Sequence, residues 1–370
     1  MQTSFNKKPR GKSNALQING TQSSLHNGQL LCSTGIPSLD GVIGGGIPVG
    51  TVFLLEEDHN HQYSDVLTRY FLAEAVVSSH EVFIVGNDDE SSFTSYLPKP
   101  VMPDEDSHTT EANAGDMKIA WRYQNSPQVQ TSIGKYTKYG HYYDISKHMD
   151  EEMLNNTKIK YVDLRHLYHK ESEKPPDLFK DSLKELHKYI VENNFDAATA
   201  LQAKKPLNIL RVVIHSFLSP SWGCIGENDS DDQNFIRFLV CLRGILRKSL
   251  AVCWVTVPTH ILSSINVKLL RHYTDMVVKL EAFGKGKTNP LYKDYHGLLK
   301  IKKLPVLNCI LPYMPDTYDL AFKLRRKRFA VERLHLPPDI TESASRQGVE
   351  EETGLSVMNV SHSNKKSVDF

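Results

Sequence analysis

The sequence predicts an α/β domain whose central sheet is mainly parallel, and three observations carry that reading. Continuous apolar runs, Thr51–Leu55, Ile209–Phe217 and Leu250–Val257, have the length and composition of strands buried on both faces. Between them, apolar residues recur with the helical period, as at Tyr63, Val66, Leu67, Tyr70 and Phe71. Late in the chain strand follows strand, which adds antiparallel strands at a sheet edge. With 370 residues and 40% hydrophobic content, the chain can bury one large core with insertions.

Taken in order, residues 1–27 are rich in Ser, Asn, Gln and Gly, carry the basic run Lys7–Lys12, and precede the first acid, Asp40. They read as a disordered basic tail, and the domain is expected over residues 28–336. Thr51–Leu55 is the first buried strand, the segment from Tyr63 a helix, and Glu81–Val85 the next strand. Pro, Asp, Glu and Thr dominate near residues 97–116, and charge dominates near 170–177; both regions read as insertions. A helix over Leu178–Val191 turns Leu183, Leu186, Tyr189 and Ile190 inward, and a second over Asp231–Lys248 buries Phe235, Phe238, Leu239, Leu242, Ile245 and Leu246. Strands at Asp275–Glu281 and Gly297–Leu304 precede a hairpin over Leu320–Leu334 that turns at Arg325-Arg326-Lys327. Residues 337–370, opening with Pro337-Pro338, read as a disordered tail.

The most informative segment is Ser33-Thr34-Gly35-Ile36-Pro37-Ser38-Leu39-Asp40, followed by Gly44-Gly45-Gly46 and the strand to Glu56. In RecA-like ATPases such a lead-in opens into the phosphate loop G-x-x-x-x-G-K-[ST], whose backbone N–H groups and lysine hold the phosphates. Here that position reads Glu57-Asp58-His59-Asn60-His61-Gln62-Tyr63-Ser64, so only Ser64 fits and Tyr63 stands for the lysine. Two unit charges ~4 Å apart interact by roughly 4 kcal/mol at an effective dielectric near 20, whereas a helix N-terminus returns only about 0.3–1 kcal/mol to an anion. The carboxylates therefore oppose phosphate at this loop. The strand that should end in a magnesium-polarising Asp ends instead in His215 and Ser216. Gly284-Lys285-Gly286-Lys287-Thr288 imitates the end of a phosphate loop, but Glu281 occupies the first glycine position and no helical pattern follows.

Composition excludes several classes. The net charge of +1 argues neither for nor against nucleic acid. Five scattered cysteines without C-x-x-C spacing point to reduced thiols in a cytosolic or nuclear protein. His59/His61 and His166/His169 lack the further ligands that would complete a metal set. No apolar stretch approaches the ~20 residues of a membrane helix.

Several long strings carry a resemblance: Leu31–Asp40 with Gly44–Gly46, Lys118-Ile119-Ala120-Trp121-Arg122-Tyr123-Gln124, Gly140-His141-Tyr142-Tyr143-Asp144, Ser219-Pro220-Ser221-Trp222-Gly223, Thr288–Gly297 and Phe329–Pro338. Over roughly residues 28–340 the chain resembles the animal Elongator subunit four family. The resemblance implies a RecA-like fold with a degenerate phosphate loop, and a hetero-hexameric ring with Elongator subunits five and six. That ring attaches to the catalytic subunits one to three, and the complex modifies the wobble uridine of tRNA with a carboxymethyl-type group. This chain would then be a non-catalytic pseudo-ATPase of cytoplasm and nucleus, binding tRNA but no cofactor of its own, with any ATP belonging to ring interfaces. An active RecA- or KaiC-like ATPase and a transcription-associated scaffold without tRNA affinity are the alternatives; Tyr63 speaks against the first.

Two basic clusters could touch tRNA. One is Lys285, Lys287 and Lys293 with Tyr292 and Tyr295; the other is Arg325, Arg326, Lys327 and Arg328 at the hairpin tip. Lysine or arginine aimed at phosphates, beside aromatic rings for exposed bases, is what RNA affinity requires. The alternative reading of both is a solvated turn.

Overall fold

A computed structural model of the full chain describes residues 18–24, 27–101, 139–168, 177–202, 206–223, 229–284 and 295–334. The first elements are β1 (Thr21–Ser23), β2 (Leu30–Cys32), α1 (Pro37–Val42) and β3 (Ile47–Pro48), and the three strands form a small antiparallel sheet. Next come β4 (Val52–Glu56), α2 (Gln62–Val77), β5 (Glu81–Gly86), α3 (Glu90–Thr94), β6 (Pro98–Pro100) and β7 (Tyr143–His148). The middle of the chain supplies α4 (Glu151–Asn155), β8 (Ile159–Asp163), α5 (Leu164–Tyr168), α6 (Leu178–Glu192), α7 (Ala197–Gln202) and β9 (Leu210–Ile214). It continues with α8 (Asp229–Arg247), β10 (Ala251–Val257), α9 (Ser264–Tyr273), β11 (Met276–Ala282), β12 (Gly297–Lys303), β13 (Leu320–Leu324) and β14 (Phe329–Arg333).

Nine strands make the main sheet, in the order β14-β13-β12-β11-β4-β10-β9-β5-β8. The pairings from β11 through β8 are all parallel, and β11-β12, β12-β13 and β13-β14 are antiparallel. This is the expected α/β architecture, a mainly parallel sheet with late antiparallel edge strands, consistent with a RecA-like fold. Every residue of β4, β9 and β10 is buried, which explains their continuous apolar runs. Two apolar clusters cover the sheet, one centred on Phe53, Phe71 and Trp254, the other on Phe217, Trp222 and Phe238. Of the predicted helix stripes, Leu186, Tyr189 and Ile190 of α6 and Phe235, Phe238, Leu239, Leu242 and Leu246 of α8 are buried, while Leu183 and Ile245 are half-buried.

The structure moves some expected boundaries. Ile18 is buried and β1 pairs with β2, so the folded unit begins before Gly28. At the start of the expected insertion, Leu97 is buried and Pro98–Pro100 pairs with β7. The other residues of both insertions lie outside the described residues, except Val101 and Asp177; Asp177 caps α6 by accepting from the Lys180 amide. The tail reading at 337–370, and that at 1–27 except for 18–24 and 27, concern residues outside those described.

α2 departs most from a one-sided stripe, because its C-terminal half is buried all round, Glu74 included. The reason is the antiparallel β6–β7 strand pair, which packs against α2 and contributes the Tyr143 hydroxyl to Glu74. Glu74 accepts from the His141 amide (3.2 Å), the His141 ring (3.1 Å) and the Tyr143 hydroxyl (2.6 Å). Arg211 of β9, fully buried, stacks on Phe71 at 4.6 Å and donates to the Ser33 carbonyl and the His80 ring. Burial opposes ionisation of Glu74. The His141 bond and charge, the Arg211 charge and the Tyr143 bond outweigh it and hold the carboxyl at about 2, against an ordinary 4.5.

A folded-state pKa below the unfolded value means that this stabilisation is complete above the unfolded pKa and is lost as the pH falls through the folded one. Glu74→Gln should therefore flatten the acid limb of stability between about pH 4.5 and 2, and cost about 3 kcal/mol at neutral pH by breaking a buried polar set. Urea midpoints of the full chain across that range check both effects.

Candidate functional site

The loops after the parallel strands β4, β9, β10 and β5 converge at one end of the sheet, where open α/β folds place ligands. The segment that follows β4, Glu57–His61, therefore lies where a phosphate loop is expected, directly before α2. Asp58 is buried and its Oδ1 accepts from the amides of Tyr63 (3.1 Å) and Ser64 (2.9 Å). These are the second and third residues of α2, so a side-chain carboxylate takes the N–H groups that a phosphate would otherwise take. His61 itself lies in the left-handed region (φ 57°), which turns the chain into the helix.

The other two acids of the loop are also engaged. Glu56 is fully buried at the end of β4 and accepts two bonds from the Arg271 guanidinium, at 2.6 and 2.8 Å. Glu57 pairs with the His61 ring at 2.5 Å and accepts from the Ser216 hydroxyl at 3.1 Å. Tyr63, at the position of the phosphate-loop lysine, turns its ring to Phe322 at 4.8 Å and to His296 at 6.1 Å. His59 and Asn60 are exposed at the apex, as is Gln62 at the helix start, and Ser64 is buried with its hydroxyl donated to the His61 carbonyl.

At the end of β9, His215 meets Asp65 at 3.2 Å and Asp88 at 3.6 Å. Burial disfavours its charged form, but the Asp65 hydrogen bond and the charges of Asp65, Glu57 and Asp88 raise its pKa overall. The histidine that ends this strand was legible in the sequence; its two carboxylate partners were not. His260 joins His59 and His61, with ring centres 4.6 and 5.6 Å away. Among the described residues, no set of three or more His, Cys, Asp or Glu is arranged to hold a metal ion.

The lead-in has a packing role. Asp40 is buried and accepts from the Ser33 hydroxyl (2.5 Å), the Thr34 amide (2.9 Å) and the Thr34 hydroxyl (2.7 Å). Gly35 (φ 81°) runs so close to α2 that a Cβ there would overlap the Tyr70 carbonyl. This turn seats α2 on the sheet whether or not a phosphate is ever bound.

The second candidate lies apart from the strand ends. Arg325–Arg328 form the tip between β13 and β14, closed by Arg325 N–H donating to the Arg328 carbonyl. The tip lines a cleft of about 610 Å³ together with Lys99, Pro100, Val101, Tyr142, Tyr143, Asp144 and Lys147. All four tip residues are exposed, and Arg325 pairs with Glu332 at 3.2 Å. No carboxylate among the described residues forms an ion pair with Arg326, Lys327 or Arg328. Of the other predicted cluster, Lys285, Lys287, Tyr292 and Lys293 lie outside the described residues, and Tyr295 lies under the Lys323 ammonium at 4.3 Å. The structure thus brings Arg325, Arg326 and Lys327 together with Lys99, Lys147 and Tyr142, which nothing in the linear sequence joins to them.

A family profile described as PAXNEB protein matches residues 14–370. The chain belongs to the PAXNEB family. Within it, the chain is similar to proteins named Elongator complex protein 4. The Danio rerio protein is 42% identical over 369 residues, covering 93% of this chain and 90% of that relative. The Xenopus laevis protein is 42% identical, covering 95% and 90%, and the Homo sapiens protein 40% identical, covering 90% and 82%. The PAXNEB match spans both the loop at Glu57–Ser64 and the basic cleft.

Asp58→Ala should lower the stability of this PAXNEB chain by about 1 kcal/mol, whereas Asp58→Asn, which keeps an acceptor oxygen, should cost less. Equal losses in urea denaturation of the two variants would contradict the capping role.

Proposed function

We propose that this chain is a non-catalytic subunit of an Elongator complex that handles tRNA for wobble-uridine modification, in a ring with Elongator subunits five and six. The subunit assignment rests on the names of its relatives. The observation that carries the tRNA role is the cleft in which Arg325, Arg326, Lys327 and Arg328 face Lys99 and Lys147. Six cations on one concave surface are an electrostatic footprint for a polyanion, because binding releases counterions from its phosphates.

The strand-end loop supports the pseudo-ATPase part of the reading. Asp58 already occupies the amides at the start of α2, and Tyr63 offers no positive charge. A nucleotide phosphate would have to displace a carboxylate and then face Glu57. ATP, where the assembly uses it, is assigned to subunit interfaces, and the chemistry to another subunit. Ile310, Leu311 and Met314 stand 97%, 72% and 70% exposed on the loop before β13, which supports protein partners beyond the chain itself. Residence in cytoplasm and nucleus goes with this proposal.

The test uses the chain co-expressed with subunits five and six. The assembly should sediment as one discrete six-membered species and bind labelled tRNA. Reversing Arg325, Arg326 and Lys327 to Glu should weaken that binding roughly tenfold or more at moderate salt. An assembly that forms but ignores tRNA would leave the transcription-associated scaffold as the better reading, and failure to assemble would remove the ring.

A further inference from the structure

The hairpin tip is one wall of the basic cleft; the other wall is the antiparallel β6–β7 pair, and the two are tied together. Ile145 N–H donates to the Lys327 carbonyl at 2.9 Å across the walls, and within the second wall Val101 N–H donates to the Tyr142 carbonyl at 2.8 Å. Below them Tyr143 is buried and gives its hydroxyl to Glu74, and the Tyr70 hydroxyl accepts from the Phe329 amide at 3.0 Å. Neighbouring residues of an extended chain point to opposite faces. Tyr143 anchors inward, and Tyr142 is left at the cleft with 53% of its surface exposed.

Charge in the cleft is one-sided. Against the six cations the described lining residues include a single carboxylate, Asp144, which accepts from the Ser146 amide at 2.9 Å and hydroxyl at 2.6 Å and feels the Lys327 and Lys147 charges. Lys99 and Arg325 have partners, Asp150 and Glu332, in exposed pairs of the weak kind. Cations outnumber carboxylates among the described residues of the cleft, so an entering anion is attracted. The cleft of about 610 Å³ lies within the usual range of ligand pockets, large enough for a nucleotide-sized group.

We infer that this cleft binds unpaired RNA, with the Tyr142 ring stacking on an exposed base while Arg326, Lys327, Arg328 and Lys147 follow the phosphates. The inference rests on the tRNA reading above and narrows it. A duplex offers its phosphates to such a surface but hides the faces of its bases in the stack, so a fixed exposed ring adds affinity only for an unpaired strand. Arg325, Arg326 and Arg328 line the same cleft, and guanidinium planes can themselves stack on bases. An acidic peptide would satisfy the charges and leave the ring unused.

The experiment titrates the full chain with three probes: a short unstructured RNA strand, the duplex of that strand, and polyglutamate. The unpaired strand should bind more tightly than the duplex. Tyr142→Ala should weaken the strand roughly ten- to hundredfold and leave the duplex unchanged, while Tyr142→Phe keeps most of the affinity. Arg326→Gln and Lys147→Gln should weaken both RNAs and reduce the salt slope for the strand by about 0.7 for each phosphate no longer neutralised. Equal loss for strand and duplex in Tyr142→Ala, or no loss in either, would overturn the inference, as would polyglutamate competing as well as RNA. If Arg325→Glu/Arg326→Glu weakens tRNA binding by the assembly but Tyr142→Ala does not discriminate, only the unpaired-base inference falls. If the charge reversals leave tRNA binding intact, the tRNA reading falls with it.

Discussion

The first turn of α2 cannot be left with bare amides at the buried end of a sheet, and this protein meets that demand with its own Asp58. The neighbouring arrangement follows from that choice. With a carboxylate inside the turn, the flanking acids need partners of their own, and each has one: Arg271 for Glu56, His61 and Ser216 for Glu57. Tyr63 packs on Phe322 and joins the start of α2 to the antiparallel strands. Helix amides that could receive an anion are here taken by the chain's own carboxylate.

What the fold keeps, it keeps for packing. Asp40 gathers the Ser33 and Thr34 groups into a tight turn, and Gly35 brings that turn against the Tyr70 carbonyl. One turn on from Tyr70 along the same face, α2 carries Glu74, which holds His141 and Tyr143. The helix thus packs against both the sheet and the β6–β7 strand pair, and that pair forms half of the basic cleft. Stability of the buried polar set and geometry of the exposed basic surface are two faces of one element.

Much of this was legible from sequence. Buried parallel strands declare themselves by unbroken apolar runs, as in Leu250–Val257, and the long helices by stripes such as Phe235 to Leu246. The late hairpin was also legible, with its tip at Arg325–Arg328 between β13 and β14. β8 escaped notice because it is an edge strand, with alternating charge in Ile159–Asp163. β6 has only three residues, two of them Pro, which read as loop. Glu74 looked like a polar break in a helix; its partners sit 67 and 69 residues away, and no local pattern announces them. The second wall of the cleft was hidden for the same reason, since Lys99 and Lys147 are isolated charges until tertiary structure sets them opposite Arg325–Arg328.

The central claim is that the chain meets its polyanion at the basic cleft and not at the closed strand-end loop. Photocrosslinking of tRNA to the assembly, with the adducts mapped by mass spectrometry, tests it most directly. Adducts in this chain should fall on peptides containing Tyr142–Lys147 and Arg325–Arg328. Adducts confined to Glu57–Ser64, with both walls of the cleft clean, would contradict the account.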